Sequence, residues 1–371
     1  MKIYDVIIVG GGLAGLTSAI DLSISGLAVL VIEKDTYPKH KVCGEYVSNE
    51  VTPYLERLGI DISDTKADPI QKLTLSNLTG NCVETDLPLG GFGISRYALD
   101  HLLYRAALSK GAEFKFETVS DIVYNDDQFK VKAKDKEYKS KLVIGSYGKR
   151  SLLDKKLKRD FIQQKTPWIG IKAHYRNEDF PQGEVHLHNF NGGYCGLSKT
   201  ETGAINLCYL AHYQNFKQAK SIDEFNHYHL AQNPYLKSFL ETSTLEFDQH
   251  LAISQVSFQK KNAVENHILM AGDSAGLIHP LCGNGMAMAI HSAKLISDEI
   301  KRYQVHKRRD TLEENYIQIW KKTFQKRLIF GSMFQKILLR QGLTNFSMSL
   351  VSNSKVLLQK MIQQTHGKPI L

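Results

Sequence analysis

Residues 7–35 read IIVGGGLAGLTSAIDLSISGLAVLVIEKD, and no other stretch constrains the fold as tightly. An apolar run ends in Gly10-Gly11-Gly12-Leu13-Ala14-Gly15, which fits G-x-G-x-x-G. A helical pattern follows at once: Leu13, Leu16, Ile20 and Ile24 recur on one face, and Gly26 can end the helix. A second apolar run, 28–32, then delivers Glu33 with Lys34 beside it. Strand, glycine turn, amphipathic helix, strand and acid in that order predict a βαβ unit that binds a dinucleotide. Gly10 permits the tight turn, Gly12 lets the backbone approach a pyrophosphate, and Gly15 lets helix and strand pack closely. The free N–H groups at the helix start, around Leu13 and Ala14, suit negative phosphates. Glu33 stands where a carboxylate accepts hydrogen bonds from an adenosine ribose.

Composition fits a globular enzyme. The 371 residues suffice for two domains, and 42% hydrophobic residues can fill their cores. Five cysteines (Cys43, Cys82, Cys195, Cys208, Cys282) are scattered and form no C-x-x-C, so neither a zinc site nor a disulfide framework is expected. The first strand is entered at Tyr4, which leaves no room for a signal peptide, and no apolar run reaches membrane-spanning length. A reducing cytoplasm is the expected compartment, with a peripheral membrane position left open. The net charge of +9 is uneven: residues 301–340 hold eleven Lys and Arg against Asp310, Glu313 and Glu314. No nucleic-acid recognition motif accompanies that charge. It reads as a solvated helix face, or as a surface for an acidic carrier protein or anionic lipid.

A second constellation lies at residues 267–293, HILMAGDSAGLIHPLCGNGMAMAIHSA. A strand over 268–271 ends in Gly272-Asp273, and a helix begins near Gly283-Asn284-Gly285 with Met286, Ile290, Ala293 and Ile300 as its apolar face. Open α/β sheets bind ligands at the carboxyl ends of their strands, where Asp273 falls and its carboxylate can bond a ribityl hydroxyl. The N–H groups of Gly283, Asn284, Gly285 and Met286 at a helix start suit a flavin's polar ring edge or a pyrophosphate.

These residues carry a resemblance. Gly272-Asp273-Ser274-Ala275-Gly276 followed by Pro280-Leu281-Cys282-Gly283-Asn284-Gly285 resembles the G-D-A-A-G…P-x-x-G-x-G of FAD-dependent monooxygenases and geranylgeranyl reductases, the para-hydroxybenzoate-hydroxylase-like flavoproteins. Gly276, where many aromatic hydroxylases have His, leans towards the reductase and halogenase-like branch. Lys41-Val42-Cys43-Gly44-Glu45 resembles K-x-C-G-[GE], which implies that Cys43 and Gly44 pass the flavin. Residues 94–102 resemble the R-x-x-[FL]-D-x-x-L helix start, which implies that Arg96 lies near the FAD phosphates. Trp320, Phe324 and Arg327 through Thr365-His366-Gly367 resemble the family's helical tail, so the likeness spans essentially the whole chain. It implies FAD as cofactor, with NAD(P)H used transiently or an external reductase as electron source. Two departures stand out. Tyr147 replaces the Asp of the family's D-G motif, which argues against tight NADPH use. Residues 192–199 lack the Trp and Pro of Y-x-W-x-F-P in prenyl reductases and of W-x-W-x-I-P in tryptophan halogenases.

The expected fold is α/β. A Rossmann-like FAD-binding domain (1–70, 97–155, 262–300) is interleaved with an antiparallel-sheet substrate domain (71–96, 156–261) and followed by C-terminal helices (301–371). Strand-like runs at 168–176, 183–189, 193–199, 204–210 and 251–256 are separated by turn residues such as Asn191-Gly192 and Thr202-Gly203, and 73–92 joins their sheet. In the tail Trp320, Phe324, Leu328, Phe334 and Leu338 are spaced for one buried stripe. His174, His186 and His188 could exchange protons near neutral pH, and the last two share a strand face. Metal binding by the His186–His188 pair is conceivable but lacks a third ligand, and all three read better as surface or hydrogen-bonded structural residues. No catalytic side chain is assigned, because a flavin would carry the chemistry. The expected function is an FAD-dependent oxidoreductase, monooxygenase-like, acting on a hydrophobic or carrier-bound biosynthetic intermediate. Reduction of lipid double bonds, flavin-dependent halogenation, and flavin binding without turnover are the alternatives.

Overall fold

The computed structural model describes residues 2–277, 283–338 and 355–371. Strand β1 (Ile3–Val9), helix α1 (Leu13–Ile24) and strand β2 (Val29–Glu33) form the expected βαβ unit, with Val6 opposite Val29 and Val9 opposite Ile32. Leu13, Leu16 and Ile20 are buried, but Ile24 is 49% exposed, contrary to the expected stripe. The helix is covered through Leu22 and only its last turn emerges into solvent. Gly26 ends it with φ +81°, and the Leu27 amide reaches back to the Leu22 carbonyl at 3.2 Å.

Helix α2 spans Thr52–Arg57 and helix α3 spans Arg96–Ser109. Strand β6 (Glu113–Phe116) lies beside β2, and the hairpin β7 (Val119–Asn125) and β8 (Gln128–Ala133) leads into β9 (Lys136–Gly145). Late in the chain β16 (Val264–Glu265) and β17 (Ile268–Met270) complete a sheet ordered β16-β17-β9-β1-β2-β6. Its central strands are parallel and buried on both faces, which explains their unbroken Val, Ile and Leu runs. Helices α1, α3 and α8 (Gly285–His306) pack together, and Met286, Ile290, Ala293 and Ile300 are buried as expected.

The second sheet runs β14-β10-β13-β12-β11-β4-β5-β3, with β15 on β10. Its members are β3 (Tyr46–Ser48), β4 (Asp68–Ser76), β5 (Cys82–Gly93), β10 (Trp168–Arg176), β11 (Glu184–Phe190), β12 (Gly193–Lys199), β13 (Ile205–His212), β14 (Thr244–Leu245) and β15 (Leu251–Ser254). One pairing corrects the antiparallel expectation: β11 runs parallel to β4. These strands come from segments about a hundred residues apart, so no hairpin dictates their direction. Three helices between β13 and β14 also escaped the sequence reading, because each is short; the first, α5, spans Tyr213–Phe216. In α6 (Ile222–Tyr228) and α7 (Pro234–Thr242), Phe225, Leu236 and Phe239 join Phe190 and Tyr209 in a separate core.

Helix α9 (Arg309–Leu338) buries Leu312, Tyr316, Trp320 and Phe324, with Leu328 half-buried. The side chains of Phe334 and Leu338 lie outside the described residues, as does Pro280-Leu281-Cys282 of the second motif. The last helix, Lys355–Thr365, sets Leu358 and Ile362 against Tyr46, Ile70 and Leu87. No helix among the described residues is long and apolar enough to cross a membrane.

Candidate active site

A cavity of about 1030 Å³ is lined by residues of both sheets, at the upper end of the ~300–1,000 Å³ usual for cofactor sites. Gly12, Leu13, Ala14, Glu33, Lys34, Cys43, Gly44, Arg96, Gly272, Asp273, Gly283, Gly285 and Met286 all line it. Gly10, Gly15 and Asn284 sit behind that wall. A Cβ on Gly10 would lie 2.5 Å from the Ser146 carbonyl oxygen, and one on Gly15 would lie 2.1 Å from the Gly10 carbonyl oxygen. These two glycines therefore serve close backbone packing. Gly12 differs: its Cβ would meet only Arg96 Nη2, at 3.8 Å, so its backbone is open to a ligand.

Glu33 Oε2 accepts the Gly11 amide at 2.6 Å, and Oε1 accepts those of Lys34 and Asp35 at 3.0 and 3.2 Å. A carboxylate offers about four lone-pair sites, so room remains for a ribose hydroxyl. Arg96 is half-buried and not a surface ion pair: it holds the buried Asp100 in a fork, Nε to Oδ1 at 2.7 Å and Nη2 to Oδ2 at 2.8 Å, while Lys41 Nζ meets Oδ2 at 2.8 Å. Burial would push the Asp100 pKa up, but Arg96 and then Lys41 hold it below the usual range. Two cations on one carboxylate leave a net positive charge beside Gly12, which suits an anionic ligand. Lys261 Nζ donates to the main-chain oxygens of Asp273 (2.7 Å) and Lys149 (2.8 Å), and burial brings it down to about 8. Arg150 lines the cavity with Nη2 on the Ile162 carbonyl at 3.0 Å, while its buried Nη1 has no hydrogen-bond partner. A long cavity with an open glycine backbone, excess positive charge and an orphaned guanidinium N–H fits a dinucleotide such as FAD.

The opposite wall is read from the register of the second sheet. One row runs Leu75, Leu187, Gly196, Cys208, Lys172 across five strands, and the next runs Leu73, Val185, Ser198, Asn206, His174. Rows two residues apart share a face. Each row is apolar at β4 and β11 and polar at β13 and β10. The apolar end lines the cavity together with Leu87, Tyr194, Leu210, Ile253, Leu358 and Ile362.

The polar end clamps the loop at 41–45. Ser198 Oγ donates to the Gly44 carbonyl and Asn206 Nδ2 to that of Cys43, both at 3.2 Å. Glu45, wholly buried at φ +54°, takes Lys172 Nζ and the Arg96 amide (2.6 Å) on Oε1 and His174 Nε2 (2.7 Å) on Oε2. Burial favours its neutral form, yet Lys172 and then His174 hold the carboxyl below the usual range. Sequence reasoning missed this clamp. The available signal was Lys172 and His174 inside an otherwise apolar strand, which demands a buried counter-charge. His40, Glu45 and His174 bring ligand-type atoms within 4.8 Å of one another. The Lys172 ammonium on the same carboxylate opposes a divalent cation there, and we read the group as a polar clamp. Burial, then Lys172 and His174, drive His40 down to about 4.

Cys43 is half-buried on the cavity wall, not sealed in a core. His188 faces away from the cavity, its Nδ1 2.7 Å from Ser76 Oγ and its ring stacked on Tyr235, and His186 pairs with Glu184. His188 fits the structural reading, whereas His186 also lines the cavity. Tyr147 lines the cavity, its hydroxyl donating to Met270 Sδ at 3.5 Å.

Fold and site together define a flavin-dependent oxidoreductase of the two-sheet, Rossmann-containing kind. Residues 3–321 match the family described as FAD binding domain, and the chain belongs to that family. It is 24% identical over 320 residues to menaquinone reductase of Mycobacterium tuberculosis, covering 79% of this chain and 76% of the relative. It is 26% identical over 347 residues to digeranylgeranylglycerophospholipid reductase of Methanosarcina acetivorans, covering 86% and 81%. A flavin-dependent brominase structure shares the fold with a TM-score of 0.82 at 18% identity, covering 98% of this chain and 93% of the other.

Proposed function

We propose that this enzyme reduces a carbon–carbon double bond of a hydrophobic substrate. The observation that carries the reading is the apolar half of the cavity. Leu73, Leu75, Leu87, Val185, Leu187, Leu358 and Ile362 form it with no carboxylate or amine among them. Such a surface gains about 25 cal/mol for each Å² of apolar substrate taken from water. Bound FAD supplies hydride transfer. Gly12, the helix start at Leu13 and Ala14, and the Arg96–Lys41–Asp100 group hold its pyrophosphate, Glu33 its ribose, and Asp273 its ribityl chain. Gly283 to Met286 and the clamped loop at Cys43-Gly44 would hold its ring, and the sheet would exclude water. The names of the two reductase relatives support a lipid substrate.

Oxygen transfer to the same substrate is the second reading. It is favoured by β12, whose Gly193-Tyr194-Cys195-Gly196 carries none of the prenyl-reductase tryptophans. A product assay decides between them, using FAD-loaded protein reduced with dithionite, a polyprenyl phospholipid and, separately, an acyl chain on a carrier protein. Anaerobic formation of a product with two added hydrogens is the expected result. A product formed only with O₂ and bearing a new oxygen would move the assignment to oxygen transfer.

A further inference from the structure

Glu50 lies in the single helical turn after β3, its side chain wholly buried. Donors from three distant segments converge on its carboxylate. Arg327 Nη1 of α9 meets Oε1 at 3.1 Å, while Asn284 Nδ2 (3.1 Å) and the Gly367 amide meet Oε2. The Glu50 main-chain oxygen accepts the Ile370 amide at 2.8 Å. A buried carboxylate is tolerated only when paired and hydrogen-bonded. Arg327 supplies the charge, and Asn284 and Gly367 occupy two further lone-pair sites.

What these donors belong to gives the hub its meaning. Asn284 is fully buried and immediately precedes α8, its carbonyl accepting the Met288 amide at 2.9 Å. Its neighbours Gly283, Gly285 and Met286 line the cavity. Gly367 follows the last helix, whose Leu358 and Ile362 line the cavity with His366 and with Phe330 of α9. Tyr46 bridges the same two parts: its hydroxyl lies 3.5 Å from His366 Nε2, and a Cβ on Gly283 would lie 3.4 Å from its ring. The packing leaves no slack, since a Cβ on Gly367 would sit 2.2 Å from Arg327 Nη2 and 2.8 Å from Glu50 Oε2. His291 and His366 also face the hub. Burial lowers both, His291 to about 4, which leaves the compensating charge to Arg327.

We propose that Glu50 is a positioning residue. It ties the C-terminal wall of the substrate half to the start of α8, so that the apolar wall and the flavin-facing amides move as one unit. Shifts of Leu358, Ile362 and His366 then reach the flavin through Gly367, Glu50 and Asn284.

The test uses the full chain loaded with FAD and no substrate, so its outcome is independent of which substrate is reduced. Gly367→Ala strikes the hub from its surface end, and Glu50→Gln removes the charge at nearly constant shape. Hydrogen exchange is expected to speed up at residues 358–366 and also at 283–288. The flavin visible band and midpoint potential should shift while FAD stoichiometry holds. Arg327→Lys should keep the wild-type spectrum better than Arg327→Met. Should Gly367→Ala fail to fold, deletion of residues 366–371 removes the same amide and takes the same readouts. Faster exchange confined to 358–366, with spectrum and potential unchanged in every folded variant, would overturn the proposal and leave Glu50 an anchor of the tail alone.

Discussion

The two walls of the cavity are made of different material. On the dinucleotide side the working surface is main chain: Gly12 backbone, helix-start amides, and a Glu33 carboxylate already bound to three amides. On the sheet side it is side chains, graded from Leu75 and Leu187 at one end of a row to Lys172 at the other. A main-chain wall is dictated by a short run of residues and tolerates little change at its glycines. A side-chain wall is assembled by register between distant strands, and a single residue can change its chemistry without moving the backbone. We therefore propose that the first wall binds the cofactor and the second chooses the substrate.

The harshest way to break the first wall is Gly15→Ala. Its Cβ would lie 2.1 Å from a carbonyl oxygen, so α1 must shift away from β1. We expect a loss on the order of 1–3 kcal/mol, as for overpacked cores, and protein that purifies without yellow colour. Thermal melts and flavin absorbance check both; full FAD content in a folded Gly15→Ala protein would show that close packing there is dispensable. Glu33→Ala comes next, with FAD affinity falling by roughly ten- to a hundredfold, about 1–3 kcal/mol, measured by fluorescence titration.

Lys261 sharpens the comparison, because it is a side chain that holds main-chain oxygens of the first wall in place. Its ammonium is brought from 10.5 to about 8 by burial, so between those values the unfolded chain binds more protons than the folded one. Stability should therefore rise with pH across that window, by up to on the order of 3 kcal/mol if fully expressed. The cost of burying the charge is fully present below the folded value. Urea titrations at about pH 8 and 9.5, below the tyrosine range, should show this climb in the wild type and a flatter one in Lys261→Met.

The smallest effect is expected outside both walls. Lys307 and Arg308 are exposed, whereas Arg309 is committed to Asp127 at 2.8 Å. Reversing Lys307 and Arg308 to Glu should leave FAD content unchanged and slow turnover only of an acidic carrier-bound or membrane-presented substrate, as added salt should also do. Turnover indifferent to both would remove the basic face from the account.

What was legible in the sequence follows the same division. The β1–α1–β2 unit and the strand ending at Gly272-Asp273 could be read because neighbours in sequence are neighbours in space. The parallel pairing of β11 with β4, the clamp of Glu45 by Lys172 and His174, and the Glu50 hub could not. Their partners lie 112 to 317 residues apart, and no local propensity encodes such pairings. Ile24 illustrates a smaller failure: helical periodicity marks a face but not where the protein surface cuts it. Arg96 lies on the cavity wall beside Gly12, and its fork with Asp100 follows from the i, i+4 spacing on α3.

The division of labour between the walls is tested most directly by Leu187→Asp, which puts a carboxylate into the apolar end of the sheet row without touching the dinucleotide side. Apoprotein of wild type and variant would be titrated with FAD, and the loaded forms assayed anaerobically with the polyprenyl phospholipid. The account predicts FAD affinities within about threefold of each other, under ~1 kcal/mol, with turnover of the lipid falling by at least about tenfold. A variant that loses FAD but, once saturated with it, reduces the lipid as well as wild type would contradict it.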